Sequence, residues 1–255
     1  MSAVSRRVVD IDPQHLQQLN AGTTEAATLT ECLAVDFEAL MRAAVPEVGD
    51  DALAAIGALA SSGISRRMAL SAGLIRERLG DGAVATLQQH RSDTVRSWAC
   101  FMIGAHPTLA LEDRLAAIRP LADDPHFGVR EWAWIAVRPQ LAQDVAKAIA
   151  LLADWTSSPS DRLRRFASEA TRPRGVWCSH IVALKRDPQM ALAILEPLKA
   201  DPSRYVQDSV GNWLNDAAKD RPDWVRQLCA SWQSGHESAA TARICKRALR
   251  SLDRH

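Results

Sequence analysis

Four stretches decide the fold: DTVRSWACF (93–101), FGVREWAWI (127–135), DRLRRFASE (161–169) and RYVQDSVGN (204–212). They align without gaps. Each sets an aliphatic residue (Val95, Val129, Leu163, Val206) before Arg or Gln, and three positions after it stands Trp98, Trp132, Phe166 or Ser209. The aliphatic anchors are 34, 34 and 43 residues apart, and a degenerate fifth copy falls at Ile244, 38 further on. Between the copies lie second apolar-periodic stretches such as LEDRLAAIRPLAD (111–123) and MALAILEPLKAD (190–201). Sustained apolar/polar alternation and Asn-Gly hairpin dipeptides are absent, so the strand signals are missing. The chain is predicted to be all-α.

Working outward from the repeat, helix pairs at this period look like HEAT-type repeats. Such pairs cannot bury their apolar stripes alone, so neighbours stack into a solenoid with a concave groove and one continuous core. The expected organisation is a single domain over 1–255, with residues 61–255 as the repeats and 1–60 as an N-terminal helical cap. Within the cap, LTECLAVDFEALMRAAV (29–45) reads as one helix, with Thr28 and Thr30 as possible caps and Pro46 closing it. DDALAAIGALAS (50–61) and RRMALSAGLIRERLG (66–80) read as the next two.

Composition narrows the function classes. The chain is 47% hydrophobic and 24% charged, ordinary values for a globular protein with an ample core. No apolar run approaches the roughly 18 residues of a membrane span. The start, MSAVSRRVVDIDP, lacks the apolar stretch of a secretory signal. Cys32, Cys100, Cys178, Cys229 and Cys245 are scattered and without a CxxC pair, which argues against a disulfide framework and a zinc site. A reduced, cytoplasmic chain is expected.

The net charge of +1 conceals an asymmetry. Residues 1–60 carry three Arg and nine Asp or Glu, and the rest has 28 basic against 21 acidic residues. Between 160 and 190, seven basic residues (Arg162, Arg164, Arg165, Arg172, Arg174, Lys185, Arg186) face three acidic ones (Asp161, Glu169, Asp187). Such a patch suits a polyanion, although Asp161–Arg165 and Arg165–Glu169 are also spaced for pairing along one helix.

Acids recur at fixed offsets from the anchors. Two positions past each anchor stand Ser97, Glu131, Arg165 and Asp208; six past stand Phe101, Ile135, Glu169 and Asn212, and ten past in the fourth copy stands Asp216. These offsets share a helix face, so Asp208, Asn212 and Asp216 form a polar stripe off the anchor positions, with Glu169 and Glu131 related in preceding repeats. Acids repel a phosphate backbone but suit a site where positive charge must be stabilised. In FASEATRPRGVWC (166–178), Pro173 and Gly175 end the helix, placing Arg172 and Arg174 on a short turn followed by Trp177. Guanidiniums suit phosphates, and an indole suits a base or a cation. Trp98, Trp132 and Trp213 are spaced for the core, whereas Trp177 and Trp134 are expected to face the groove. The seven histidines are dispersed and are given surface or cap roles.

The stretches LNAGTTEAATLTECLAVDF (19–37), DPHFGVREWAW (124–134), FASEATRPRGVW (166–177) and 183–225 together resemble the AlkC/AlkD superfamily of HEAT-like-repeat alkylpurine DNA glycosylases. SEATRPR and VGNWLNDAAKD point to the AlkC branch, in a short form without a C-terminal immunoglobulin-like domain. The resemblance implies excision of cationic N-alkylated purines, chiefly 3-methyladenine, from duplex DNA without base flipping. It places the carboxylates on Glu131, Glu169 and Asp216 and the aromatic on Trp177; Gly175-Val176 departs from the Leu-Pro-like pair of that pattern. Arg165, Arg172, Arg174, Lys185 and Arg186 would then hold phosphates, with Asn212 and Trp134 also against the DNA. No metal or other cofactor is expected, the partner is alkylated double-stranded DNA, and the chain is expected to be a monomer. A non-catalytic HEAT scaffold or DNA-binding paralogue is the competing reading, and a metal-dependent nuclease on the three acids is a third.

Overall fold

The computed structural model describes residues 7–175, 177–235 and 238–252. Among them all regular structure is helical, in α-helices joined by short 3-10 turns. No helix among these residues is long and apolar enough to cross a membrane. The five cysteines are free thiols.

The four quoted stretches each open a helix at their first residue: Asp93–Gly104, Phe127–Leu141, Asp161–Ala170 and Arg204–Ala218. The fifth copy lies in Ala239–Leu249. Leu111–Ala122, Val145–Ala153, Leu192–Leu198 and Pro222–Gly235 are helices that follow the first four along the chain. The anchors Val95, Val129, Val206 and Ile244 are wholly buried and Leu163 nearly so. Trp98, Trp132, Phe166 and Trp213 are buried as expected, and Trp155 stacks on Phe166 with ring centroids 5.0 Å apart.

The residue after each anchor has a role that the repeat alignment alone leaves open. Arg96 Nη1 donates back to the carbonyls of His90 and Arg91 at 2.8 and 2.9 Å. Arg130 does the same to Asp124 and Pro125, and Arg164 to Ser158 and Pro159. Gln207 reaches the Asp201 carbonyl at 2.7 Å. The side chain five residues before each anchor closes the preceding turn: His90, Asp124, Ser158 and Asp201 accept from the N–H two residues on. Two of these turn acids also receive the arginine of the repeat before, Asp124 from Arg96 and Asp201 from Arg164, each through two N–H groups. Bidentate pairs of this kind add geometric specificity to the contact between successive repeats, and removing one partner would leave a buried charge unpaired.

The chain falls into two compact units. One comprises Met1–Thr108 with Asp124–Ala136; the other comprises Leu109–Asp123 with Val137–His255. In the first, the region expected as one helix over 29–45 is two, Leu29–Ala34 and Phe37–Ala44. Asp36 explains the break, because its carboxylate accepts from the N–H groups of Glu38 and Ala39 and so starts a new helix. Thr28 caps the first of them through the Glu31 N–H, whereas Thr30 lies inside it. Gly104 ends its helix against the backbone of Ala136, where an added Cβ would lie 2.2 Å from the carbonyl oxygen.

Candidate active site

In the second unit, the Asp161–Ala170 helix packs beside Arg204–Ala218. Each brings one carboxylate to the same place. Glu169 is 3% exposed and Asp216 is 5% exposed. Between them lies the guanidinium of Arg172, whose Nη1 donates to Glu169 Oε1 at 2.6 Å. Its Nε and Nη2 donate to Asp216 Oδ2 at 2.9 and 2.6 Å. The remaining oxygens are also occupied. Ser209 Oγ donates to Glu169 Oε2 at 2.6 Å, Arg165 approaches that oxygen at 3.7 Å, and Lys219 Nζ reaches Asp216 Oδ1 at 3.1 Å. Burial alone would push the Glu169 carboxyl up, but Arg165, Arg172 and the Ser209 hydroxyl outweigh it, so its pKa falls below the usual value.

The turn that follows holds the guanidinium in place. The helix ends at Ala170, and the Ile181 N–H returns to the Pro173 carbonyl at 3.0 Å. Arg138, 2% exposed, donates to the carbonyls of Ala170 at 2.8 Å and Ser179 at 3.1 Å, and also to that of Arg172. Both limbs of the turn are thereby tied to one buried cation. Its burial lowers the Arg138 pKa below the ordinary arginine value. A Cβ at Gly175 would lie 2.2 Å from Cys178 Sγ, so the turn folds too tightly for a larger residue there. Trp177 is 47% exposed and has φ at 61°, the left-handed region that a tryptophan seldom adopts. Strain of this sort gathers at ligand-contacting turns. Val176, with the departure from the Leu-Pro-like pair, lies outside the described residues.

The other expected site residues divide clearly. Arg174 is committed to Asp220 through Nε at 3.2 Å and Nη2 at 2.9 Å, and Lys185 stands 3.7 Å from the same carboxylate. Arg165 lies over the Tyr205 ring at 4.4 Å, and Arg186 is exposed. Asn212 accepts from Arg247 at 2.9 Å, and Asp208 binds Arg243 and Arg247. The stripe of three therefore splits, with Asp216 joining Glu169 while Asp208 and Asn212 serve the last helix. Glu131 belongs to the first unit and accepts the Trp134 indole N–H at 2.9 Å.

The exposed placement of Trp134 is corrected: its ring is 4% exposed. Five positions past its anchor the ring lies well off the anchor's face of the helix, yet it is covered, and the indole N–H donates to Glu131. Arg172 and Arg174, expected to be open to phosphates, are held by carboxylates. Sequence reasoning missed Arg138, Lys219, Asp220 and Ser209. A signal existed for the last, because Ser209 replaces the aromatic of the other three copies, and its hydroxyl donates to Glu169.

Among the described residues no group of three His, Cys, Asp or Glu is placed to hold a metal ion. Four of the described histidines take structural contacts: His90 caps a turn, His15 meets Glu31, His106 meets Asp81 and His126 meets the Ala26 carbonyl. His180 is exposed; His236 and His255 lie outside the described residues.

Two family models match the chain, one described as a DNA alkylation repair enzyme over residues 129–252 and one of HEAT repeats over 80–171. Over 136 residues the chain is 44% identical to protein YhaZ of Bacillus subtilis (strain 168), covering 53% of this chain and 37% of that protein. Among solved structures it is similar to the Pseudomonas fluorescens alkylpurine DNA glycosylase AlkC, bound to DNA containing an abasic site analog. There the TM-score is 0.69 and the identity 25%, over 98% of this chain and 66% of that one. It also shares its fold with AlkD2 from Streptococcus mutans, with TM-score 0.61 and 23% identity over 78% of this chain and 98% of that one. The chain thus spans less than two thirds of the length of YhaZ and of the AlkC chain.

Proposed function

Since the chain belongs to the AlkC/AlkD superfamily of HEAT-like-repeat DNA alkylation repair proteins, we propose that it is a DNA glycosylase of the AlkC branch that removes cationic N-alkylated purines, chiefly 3-methyladenine, from duplex DNA. One observation carries this reading: two buried carboxylates from neighbouring helices meet on a single guanidinium, at the foot of a turn that exposes an indole.

An N3-alkylated adenine already bears positive charge, so it departs as a neutral base without a general acid. Bond breaking leaves an oxocarbenium-like sugar. Carboxylates placed beside that sugar stabilise the developing cation, and one can orient or deprotonate the attacking water. Asp216 is assigned to the sugar cation and the water, Glu169 to support of the same cation, and Glu131 to positioning. The Trp177 ring adds attraction for a cationic lesion of about 0.5–2 kcal/mol. Arg165, Lys185 and Arg186 are assigned to the phosphates, with Arg174 joining them on leaving Asp220. No cofactor takes part, and DNA is the one partner the reading requires.

A second reading rests on a specific observation. Both carboxylates are already neutralised by Arg172, Arg165 and Lys219, which suits a protein that binds DNA without excising bases. Incubation with methylated duplex DNA in EDTA, followed by chromatography of released bases, separates the two. The glycosylase reading expects 3-methyladenine from the wild type, none above background from Asp216→Asn, and little hypoxanthine from inosine-containing DNA. DNA binding without any base release favours the second reading.

A further inference from the structure

We infer that Arg172 is a positioning residue, which holds the Glu169 and Asp216 carboxylates at a fixed separation and does not itself grip a DNA phosphate. This rests on the glycosylase reading and adds to it a residue that acts through the two acids.

The geometry argues for it at three points. First, Arg172 uses both edges of its guanidinium inward, Nη1 on Glu169 and Nε with Nη2 on Asp216, with only 16% of its side chain exposed. An arginine that receives a phosphate presents that fork to solvent. Second, the two carboxylates come from different helices, and without a cation between them their charges would drive them apart. Third, Arg172 is anchored from behind, since Arg138 binds its carbonyl and those of Ala170 and Ser179. A residue that swings out to a ligand needs no such fixed base. The groups facing Glu169 are Arg165 on its own helix and Ser209 and Asp216 on Arg204–Ala218, with Lys219 behind Asp216. Arg138 and Cys178 add weaker fields. Arg172 touches both acids at once.

Arg172→Gln and Arg172→Lys separate charge from geometry. In Arg172→Gln, kcat for 3-methyladenine release is expected to fall about 100-fold. The acid limb of its pH–rate profile should move to higher pH, because burial of Glu169 is then less opposed. The Kd for duplex DNA and its salt dependence stay within twofold. Arg172→Lys keeps a charge but spans only one carboxylate, so kcat falls about 10-fold with the acid limb near that of wild type. Should Arg172→Gln not fold, the lysine variant carries the test through that split. The inference is overturned if DNA affinity drops and the log–log salt slope falls by about 1 while kcat and the acid limb stay put, which is the behaviour of a phosphate ligand. Wild-type protein that releases no base sinks the glycosylase reading on its own. In that case a carbon-13 titration of the Glu169 carboxyl decides the inference, which requires an upward shift in Arg172→Gln and fails if the titration is unchanged.

Discussion

Glu169 stands where burial by itself would protonate it, and two guanidiniums with a hydroxyl reverse the balance. Its folded pKa lies below its unfolded one, so the stabilisation it confers is full above the ordinary glutamate range and is lost as pH falls through the depressed value. Glu169→Gln removes that dependence. Thermal melts between neutral pH and about pH 3 should show a shallower acid-side decline in the variant than in wild type; parallel curves would refute it. Trp177 offers the opposite contrast, a residue strained by its backbone yet exposed. Trp177→Gly is expected to leave Tm unchanged or raise stability by up to about 1 kcal/mol, because glycine accepts positive φ, while base release falls at least several-fold. A clear loss of Tm would show the ring to be structural. That Glu169 and Asp216 stand on neighbouring repeat helices was legible from the repeat, but the offsets grouped Asp216 with Asp208 and Asn212, and only the resemblance set it beside Glu169. Trp134 was misjudged because angle says nothing about which neighbour covers a ring. Arg138 was invisible, since its partners are backbone carbonyls more than thirty positions away.

The helices owe their start points to a small set of polar contacts. Each repeat opens after a turn closed by its own side chain, and in two cases the turn acid is gripped by the arginine of the preceding repeat. Arg164→Ala removes two charge-assisted bonds to Asp201, which is 5% exposed, and two to turn carbonyls. Leaving that carboxylate buried and unpaired is expected to cost about 3 kcal/mol in urea unfolding, with the unfolding slope unchanged. Gly104→Ala is a second test. Its methyl would strike the Ala136 carbonyl, so the variant should lose about 1–3 kcal/mol although alanine is the better helix former. A gain in stability would mean that the helices can part at no cost. The aligned stretches coincide with the first turns of the repeat helices, because anchor and capping turn recur together. The division at Asp36 was not seen, since one carboxylate starting a new helix outweighs an apolar period that runs on without interruption.

Across the whole molecule, acidic charge concentrates in residues 1–60 and basic charge beyond them, although the sum is only +1. Binding to duplex DNA should therefore weaken with salt in proportion to the few phosphates engaged, and not as for a highly basic protein. Lys185→Ala and Arg186→Ala should each lower the log–log slope by about 1, read by fluorescence anisotropy between 50 and 200 mM salt. An unchanged slope in both would move the DNA contact elsewhere. The all-helical repeat was readable from anchors and offsets, whereas the separation into two units was not, because the Phe127–Leu141 helix passes from one to the other without a break in its pattern. The exposure of Trp177 has a practical side. Seven of the eight tryptophans are buried or partly covered, and this one stands open. A dissolved quencher such as acrylamide will therefore reach the Trp177 indole ahead of the others. Emission from the unlabelled protein becomes a light-based readout of whether that turn is occupied.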